Sequence, residues 1–273
     1  MTRLLQIEWL KLKYNRPFWI LVAMYSIGVI IVCSGGMLFL NFLKNQGADF
    51  DGIDPTIIPI YDFPDVWHNI SYVATFFKVL LGFIIVISIA NEASYRTMRQ
   101  NVIDGLSKKE FLQTKLLIIG ILSISAMVLL FLIGLITGGI YSHILGWKYV
   151  FSDLQFLFAY GFEVFCYLTF ALMIALLVRK SGLVIVGLLM YTLIFDPVAA
   201  KFIEHFPYIW DEIRFIKDYL PVTALNNLIH VPFMKYFFQE IQDYISWKEL
   251  AIVSGWLMIN IGLSYWVLKK RDI

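Results

Sequence analysis

This chain has little charge. Only 15% of its 273 residues are Asp, Glu, Lys or Arg, whereas 60% are hydrophobic and 17% aromatic. A water-soluble domain carries roughly a quarter charged residues. One soluble core cannot bury this much apolar surface, which excludes a soluble enzyme, and a disordered tail needs the opposite composition. The two cysteines, Cys33 and Cys166, fall in apolar stretches and make no disulfide scaffold. The net charge of +2 lacks the basic excess that nucleic-acid binding requires. The four histidines, His68, His143, His205 and His230, are scattered over segments outside the apolar runs. Solvated or interfacial roles are expected for them, and no H-E-x-x-H metal motif exists. The glycine loop G-x-x-x-x-G-K-[ST] is also missing, so this chain does not itself cradle ATP phosphates. No internal repeat supports an inverted-repeat secondary transporter.

Apolar runs of membrane-spanning length, about 20 residues, are abundant. Six are expected to span, at 18–40, 73–91, 116–141, 154–178, 182–200 and 250–268. The fifth is apolar only from Gly182 to Phe195 and reaches full length by continuing past Asp196-Pro197. None shows the in–out alternation of a barrel strand, so the expected fold is an all-α integral membrane protein, residues 1–273 forming one transmembrane domain. The first run is too long for a cleaved signal and no A-x-A site follows, so it is read as a retained span. Lys and Arg set the orientation. Four precede the first span, five follow the second (Arg96, Arg99, Lys108, Lys109, Lys115), two follow the fourth and three follow the sixth. Both termini are therefore expected in the cytoplasm. Trp19, Trp67, Trp147, Trp247 and Trp266 lie near span ends, as an interfacial belt requires.

The segments between spans predict further parts. Residues 1–16 form a basic interfacial helix, with Leu5, Trp9 and Leu12 on one face. The first outer loop, Asn41 to Tyr72, carries Asp49, Asp51, Asp54, Asp62 and Asp65, without a metal-binding pattern. The outer segment 201–249 is aromatic-rich and is expected to form short interfacial helices between spans five and six. The stretch 92–115 holds the clearest local signals. Glu92 and Arg96 are spaced for a helical ion pair. Tyr95, Met98 and Val102 share one helical face, and Arg96 and Arg99 another. Gly105 stops the helix. Ser107 and Glu110 form a capping box, flanked by Leu106 and Phe111 at staple positions. This predicts a stiff cytoplasmic elbow.

The order of these parts resembles the type-2 permease family of ATP-binding-cassette transporters, with the fold of the type V exporters. The closest local match runs through Glu92, Thr97, Arg99, Gly105, Leu106, Ser107, Phe111 and Lys115. They stand in the order of the family's acidic residue, "GT-x-R" helix and "L-S-x-x-x-S-R-x-x-F-x-x-x-K" run. Arg96 replaces a usual Gly, and Lys108-Lys109 replaces a common Arg. The stretch Asp218 to Ile229 is similar to the family's outer "LP-x-x-x-L" segment. The resemblance implies that the elbow couples to a separately encoded ATPase subunit, through Glu92, Arg96, Arg99, Gly105, Ser107, Lys108, Lys109, Glu110 and Phe111. It implies that ATP and Mg are held by that partner and none by this chain. It implies a homodimer or a pair with a related permease, and a translocation path beside spans two and five, where Phe76, Phe77, Phe83 and Tyr191 provide an aromatic lining.

Two charges fall inside spans. Lys78 is about 9 Å deep at 1.5 Å per residue and is expected to snorkel outward. Glu163 is near the middle of span four, where a bare charge costs about 2.5 kcal/mol or more. It is therefore expected to be protonated or paired. It shares a stripe with Phe156, Tyr160, Tyr167 and Phe170. The stripe is either a substrate or proton contact, or a bundle-holding hydrogen bond. Gly134 and Gly138 form a G-x-x-x-G read as intrachain packing. Glu92 to Arg96 also fits an E-x-x-x-R pattern of intramembrane proteases, but no histidine lies within an expected span. The reading is a permease subunit of an ATP-driven exporter in the cell membrane, without enzymatic activity of its own. A non-transporting scaffold or sensor-partner subunit and a secondary transporter are the alternatives.

Overall fold

A computed structural model describes residues 2–46, 59–95, 97–98, 100, 105–144, 146–205, 211–232 and 244–270. The described residues contain helices and no strand. Among the described residues five helices are long and apolar enough to cross a membrane, and a bent pair brings the number to six when taken as one span.

The chain opens with α1 (Thr2–Lys13). Helix α2 (Arg16–Ser34) takes Pro17 into its first turn, where a missing N–H costs no helical bond. The expected first span, 18–40, is divided at Gly35 from α3 (Gly36–Asn45). Tyr61 is the reason. Its hydroxyl accepts the Gly36 amide at 2.9 Å and donates to the Cys33 carbonyl at 2.6 Å, satisfying the backbone groups freed by the break. A Cβ on Gly36 would lie 2.8 Å from that hydroxyl.

The second span begins earlier than expected and is also bent. Helices α4 (Val66–Thr75) and α5 (Lys78–Ser94) meet at 43°. Thr75 donates to the Tyr72 carbonyl at 2.7 Å, and Phe77 N bonds Ala74 O. These short i→i−3 bonds displace the α ladder.

Helix α6 (Lys108–Tyr141) runs unbroken for 34 residues, about 50 Å at 1.5 Å per residue. It absorbs the last third of the expected elbow, because nothing between Ser107 and Tyr141 interrupts it. The one-turn α7 (Trp147–Val150) leads into α8 (Gln155–Val178).

The fifth helical run is α9 (Ser181–Met190), a π turn (Tyr191–Phe195) and α10 (Asp196–His205). Pro197 has no N–H to offer the preceding turn, and the widened π register accommodates that loss. A 3-10 helix (Asp211–Tyr219) and α11 (Pro221–Asn226) follow. Asp196 caps α11 from a distance, accepting from Val222 N at 3.0 Å and Thr223 N at 2.7 Å. Helix α12 (Trp247–Lys270) closes the bundle.

Helix α8 is the hub, packing against α4, α5, α6 and α12. Its most apolar window is 72% buried, against 22% for α2 and α12. The others keep an exposed apolar flank. The glycine pair of α6 receives aromatic rings. A Cβ on Gly134 would lie 2.5 Å from Trp67, and one on Gly138 would lie 2.3 Å from Phe63. Trp67 is therefore buried and corrects the interfacial expectation; its indole donates to Val150 O at 2.8 Å. Trp19, Trp147, Trp247 and Trp266 remain exposed.

Candidate functional site

The residues of the expected elbow fall into a buried base and an exposed tip. At the base, Glu92 ends the buried face of α5 and meets charges from two other helices. Lys115 on α6 donates to Glu92 at 2.7 Å and to Glu8 on α1 at 2.5 Å. Lys11 donates to Glu8 at 2.8 Å and to Glu92 at 3.1 Å. Two acids and two bases thus alternate around one closed network that joins α1, α5 and α6. Glu8, Glu92 and Lys115 are buried, and the Lys115 ammonium also sits 5.3 Å from the Phe111 ring. Burial alone would raise the Glu8 carboxyl. The Lys115 and Lys11 ammonium groups overcome that and hold it below the ordinary carboxylate range. Lys11 is held above the ordinary lysine range. Burial pulls it down, and Glu92 and Glu8 more than reverse this.

Glu8, Lys11 and Lys115 had no assigned partner in the sequence. The i,i+3 spacing of Glu8 and Lys11 was a signal for half of the network; the 107-residue separation of Glu8 and Lys115 was not. The expected partner of Glu92, Arg96, lies outside the described residues, as do Arg99 and Val102.

The tip is built by capping chemistry. Gly105 has φ +92°, a conformation that glycine adopts without strain. Ser107 Oγ accepts from Glu110 N at 3.2 Å, while Glu110 Oε2 accepts from Ser107 N at 2.9 Å, so the capping box is closed. Ser107, Lys109 and Glu110 are exposed, whereas Phe111 is buried. Lys108 reaches the Lys269 carbonyl of α12 at 3.4 Å. Tyr95 and Met98 do not share a face, contrary to the expected periodicity. Tyr95 is 77% exposed and Met98 is buried. Helix α5 ends at Ser94, so helical spacing does not carry across Tyr95.

The second polar cluster lies at the other end of α5, roughly 20 Å away at 1.5 Å per residue. Lys78 does not snorkel. It is 3% exposed and forms an ion pair with Glu163, which is 0% exposed. It also donates to Asn226 Oδ1 of α11 at 2.7 Å. The stripe around Glu163 is buried throughout. Tyr160 bonds Tyr25 of α2 at 2.5 Å, and Tyr167 bonds Thr192 of the π turn at 3.0 Å. The stripe therefore joins α2, α5 and the fifth helical run to the hub.

The four aromatic residues expected along a path differ in their surroundings. Phe76 is 64% exposed. Phe77 packs on Gly28 of α2, and Phe83 is partly buried against the core. Tyr191 sits 5.6 Å from Phe170. His68 is also within the bundle and corrects the solvated reading. It stacks on Phe156 at 4.0 Å, with Nε2 2.8 Å from His230 O. Among the described residues no group of acids, histidines and cysteines is arranged to hold a metal.

The family model described as "ABC-2 family transporter protein" matches residues 3–273. No curated protein matches the chain.

Proposed function

Because the chain belongs to the ABC-2 transporter family, we propose that it is the membrane-spanning permease subunit of an ATP-driven exporter. The observation that carries this reading is the closed Glu8–Lys11–Glu92–Lys115 network beneath the exposed, capped tip. A partner pressing on Lys109, Glu110 and Tyr95 would push against three helices locked as one, so a rigid-body displacement would reach α5 and α6 undiminished. A separately encoded ATPase, holding ATP and Mg, supplies the push. Arg96 and Arg99 add basic charge for acids on that partner. Two copies of this chain, or one copy and a related permease, complete the path, with both termini in the cytoplasm of a multi-pass cell-membrane protein. Of the four aromatic residues considered for a path beside spans two and five, the exposed Phe76 supports it best, and an amphipathic substrate suits it.

The test uses the tagged full-length chain and the ATPase that co-purifies with it. Lys109→Glu and Gly105→Pro are expected to reduce ATPase recovery or uncouple its hydrolysis at least tenfold, without lowering the amount of chain in the membrane. Full recovery and normal turnover with both variants would sink the coupling role. Reproducible absence of any ATPase from the wild-type preparation would favour a scaffold.

A further inference from the structure

The cluster at Lys78 opens on a cavity of about 380 Å³ between the bend of the second span, the π turn and α11. That volume falls at the small end of ligand pockets, about 300–1,000 Å³. The cavity has two kinds of wall. Its polar wall includes Lys78, Thr75, Thr192 and Asn226, and its apolar rim includes Phe76, Leu193 and Val231. All three rim residues are exposed, so an apolar rim surrounds a polar floor.

Lys78 decides the chemistry. An ammonium has three N–H donors. One goes to Glu163 and one to Asn226, and no hydrogen-bond acceptor for the third appears among the described residues. Lys115, at the other end of the same helix, is held by two carboxylates. Lys78 has one carboxylate, a neutral amide and the Tyr167 ring face 5.6 Å from its ammonium. A buried lysine with one anionic partner, facing a cavity with an exposed apolar rim, suits a second oxyanion whose attached tail lies along Phe76 and Leu193.

We propose that this cavity binds the oxyanionic headgroup of an amphiphile, a phosphate or carboxylate, with Lys78 bridging it to Glu163. This rests on the amphipathic-substrate reading of the path at Phe76; binding is read at equilibrium on the chain without its ATPase, so failure here is distinguishable from failure of the coupling role.

The full-length chain in nanodiscs of neutral phosphatidylcholine is titrated with dodecyl phosphate, inorganic phosphate or dodecanol, followed by calorimetry and by the thermal midpoint. Dodecyl phosphate is expected to bind saturably and raise the midpoint with concentration, with dodecanol at least tenfold weaker. Weak inorganic phosphate would assign a lipid-like ligand; comparable affinity would assign a free oxyanion in the same subsite. Lys78→Gln strands Glu163 and risks misfolding, so the paired variant Lys78→Met/Glu163→Met is measured beside it, since replacing a buried ion pair by apolar residues of similar volume is often tolerated. A folded paired variant that loses at least tenfold in dodecyl phosphate affinity supports the site. Unchanged affinity in that variant, equal binding of dodecanol, or no saturable binding by either phosphate would overturn it.

Discussion

At the scale of single residues, buried charge decides which side chains matter most. Lys115 holds two carboxylates at once, so removing it leaves the buried Glu8 and Glu92 to share the partly exposed Lys11 alone. Taking one partner from a buried ion pair costs about 3–5 kcal/mol. Lys115→Met is expected to lower stability by that order, whereas Lys109→Met on the exposed tip is expected to change it by less than about 0.5 kcal/mol. Thermal unfolding of the two variants in the same nanodiscs checks the contrast. Gly138 shows the opposite limit. It has no side chain because the Phe63 ring occupies that space. Gly138→Leu is expected to cost at least about 1–3 kcal/mol by overpacking, read in the same assay.

At the scale of elements, local capping and distant side chains share the work. The start of α6 is written within four residues, since Ser107 and Glu110 close the box by themselves. Ser107→Ala is expected to cost about 1 kcal/mol and to speed hydrogen exchange in the first turn of α6 alone. The break between α2 and α3 is different. Tyr61, at least 25 residues away in the chain, serves both of its freed backbone groups. Tyr61→Phe leaves both groups without that partner and is expected to speed exchange at Gly36, with a loss of about 1–3 kcal/mol. Exchange at Gly36 unchanged from the wild type would show that another group serves the break.

At the scale of the whole molecule, α1 is fastened to the bundle by charge, so its docking depends on pH. The Glu8 carboxyl lies below its ordinary value of 4.5 when folded. Its contribution is complete above that value and is lost as pH falls through the lower, folded pKa. Lys11 lies above its ordinary value of 10.5. Its contribution is complete below 10.5 and is lost as pH rises through the higher, folded pKa. The distance between spin labels on α1 and α6 is therefore expected to stay constant from about pH 5 to 10 and to broaden only beyond both ends. Broadening near pH 7 would contradict this assignment.

The sequence by itself determined the membrane class, the approximate places of the helical runs, the capped start of α6 and the glycine notch. Each of these depends on composition or on residues within one or two turns of each other. Only the tertiary structure decided the rest. It turned Lys78 from a snorkelling side chain into the partner of Glu163, drew Glu92 into a network with Lys11, Lys115 and Glu8, and buried Trp67 and His68. It also bent the second span and assigned Asp196 to cap a helix 26 residues away. The physical reason is common to all of these. A polar group inside a bilayer must find a partner, and periodicity within one helix says which face the group occupies but not which distant residue will meet it there.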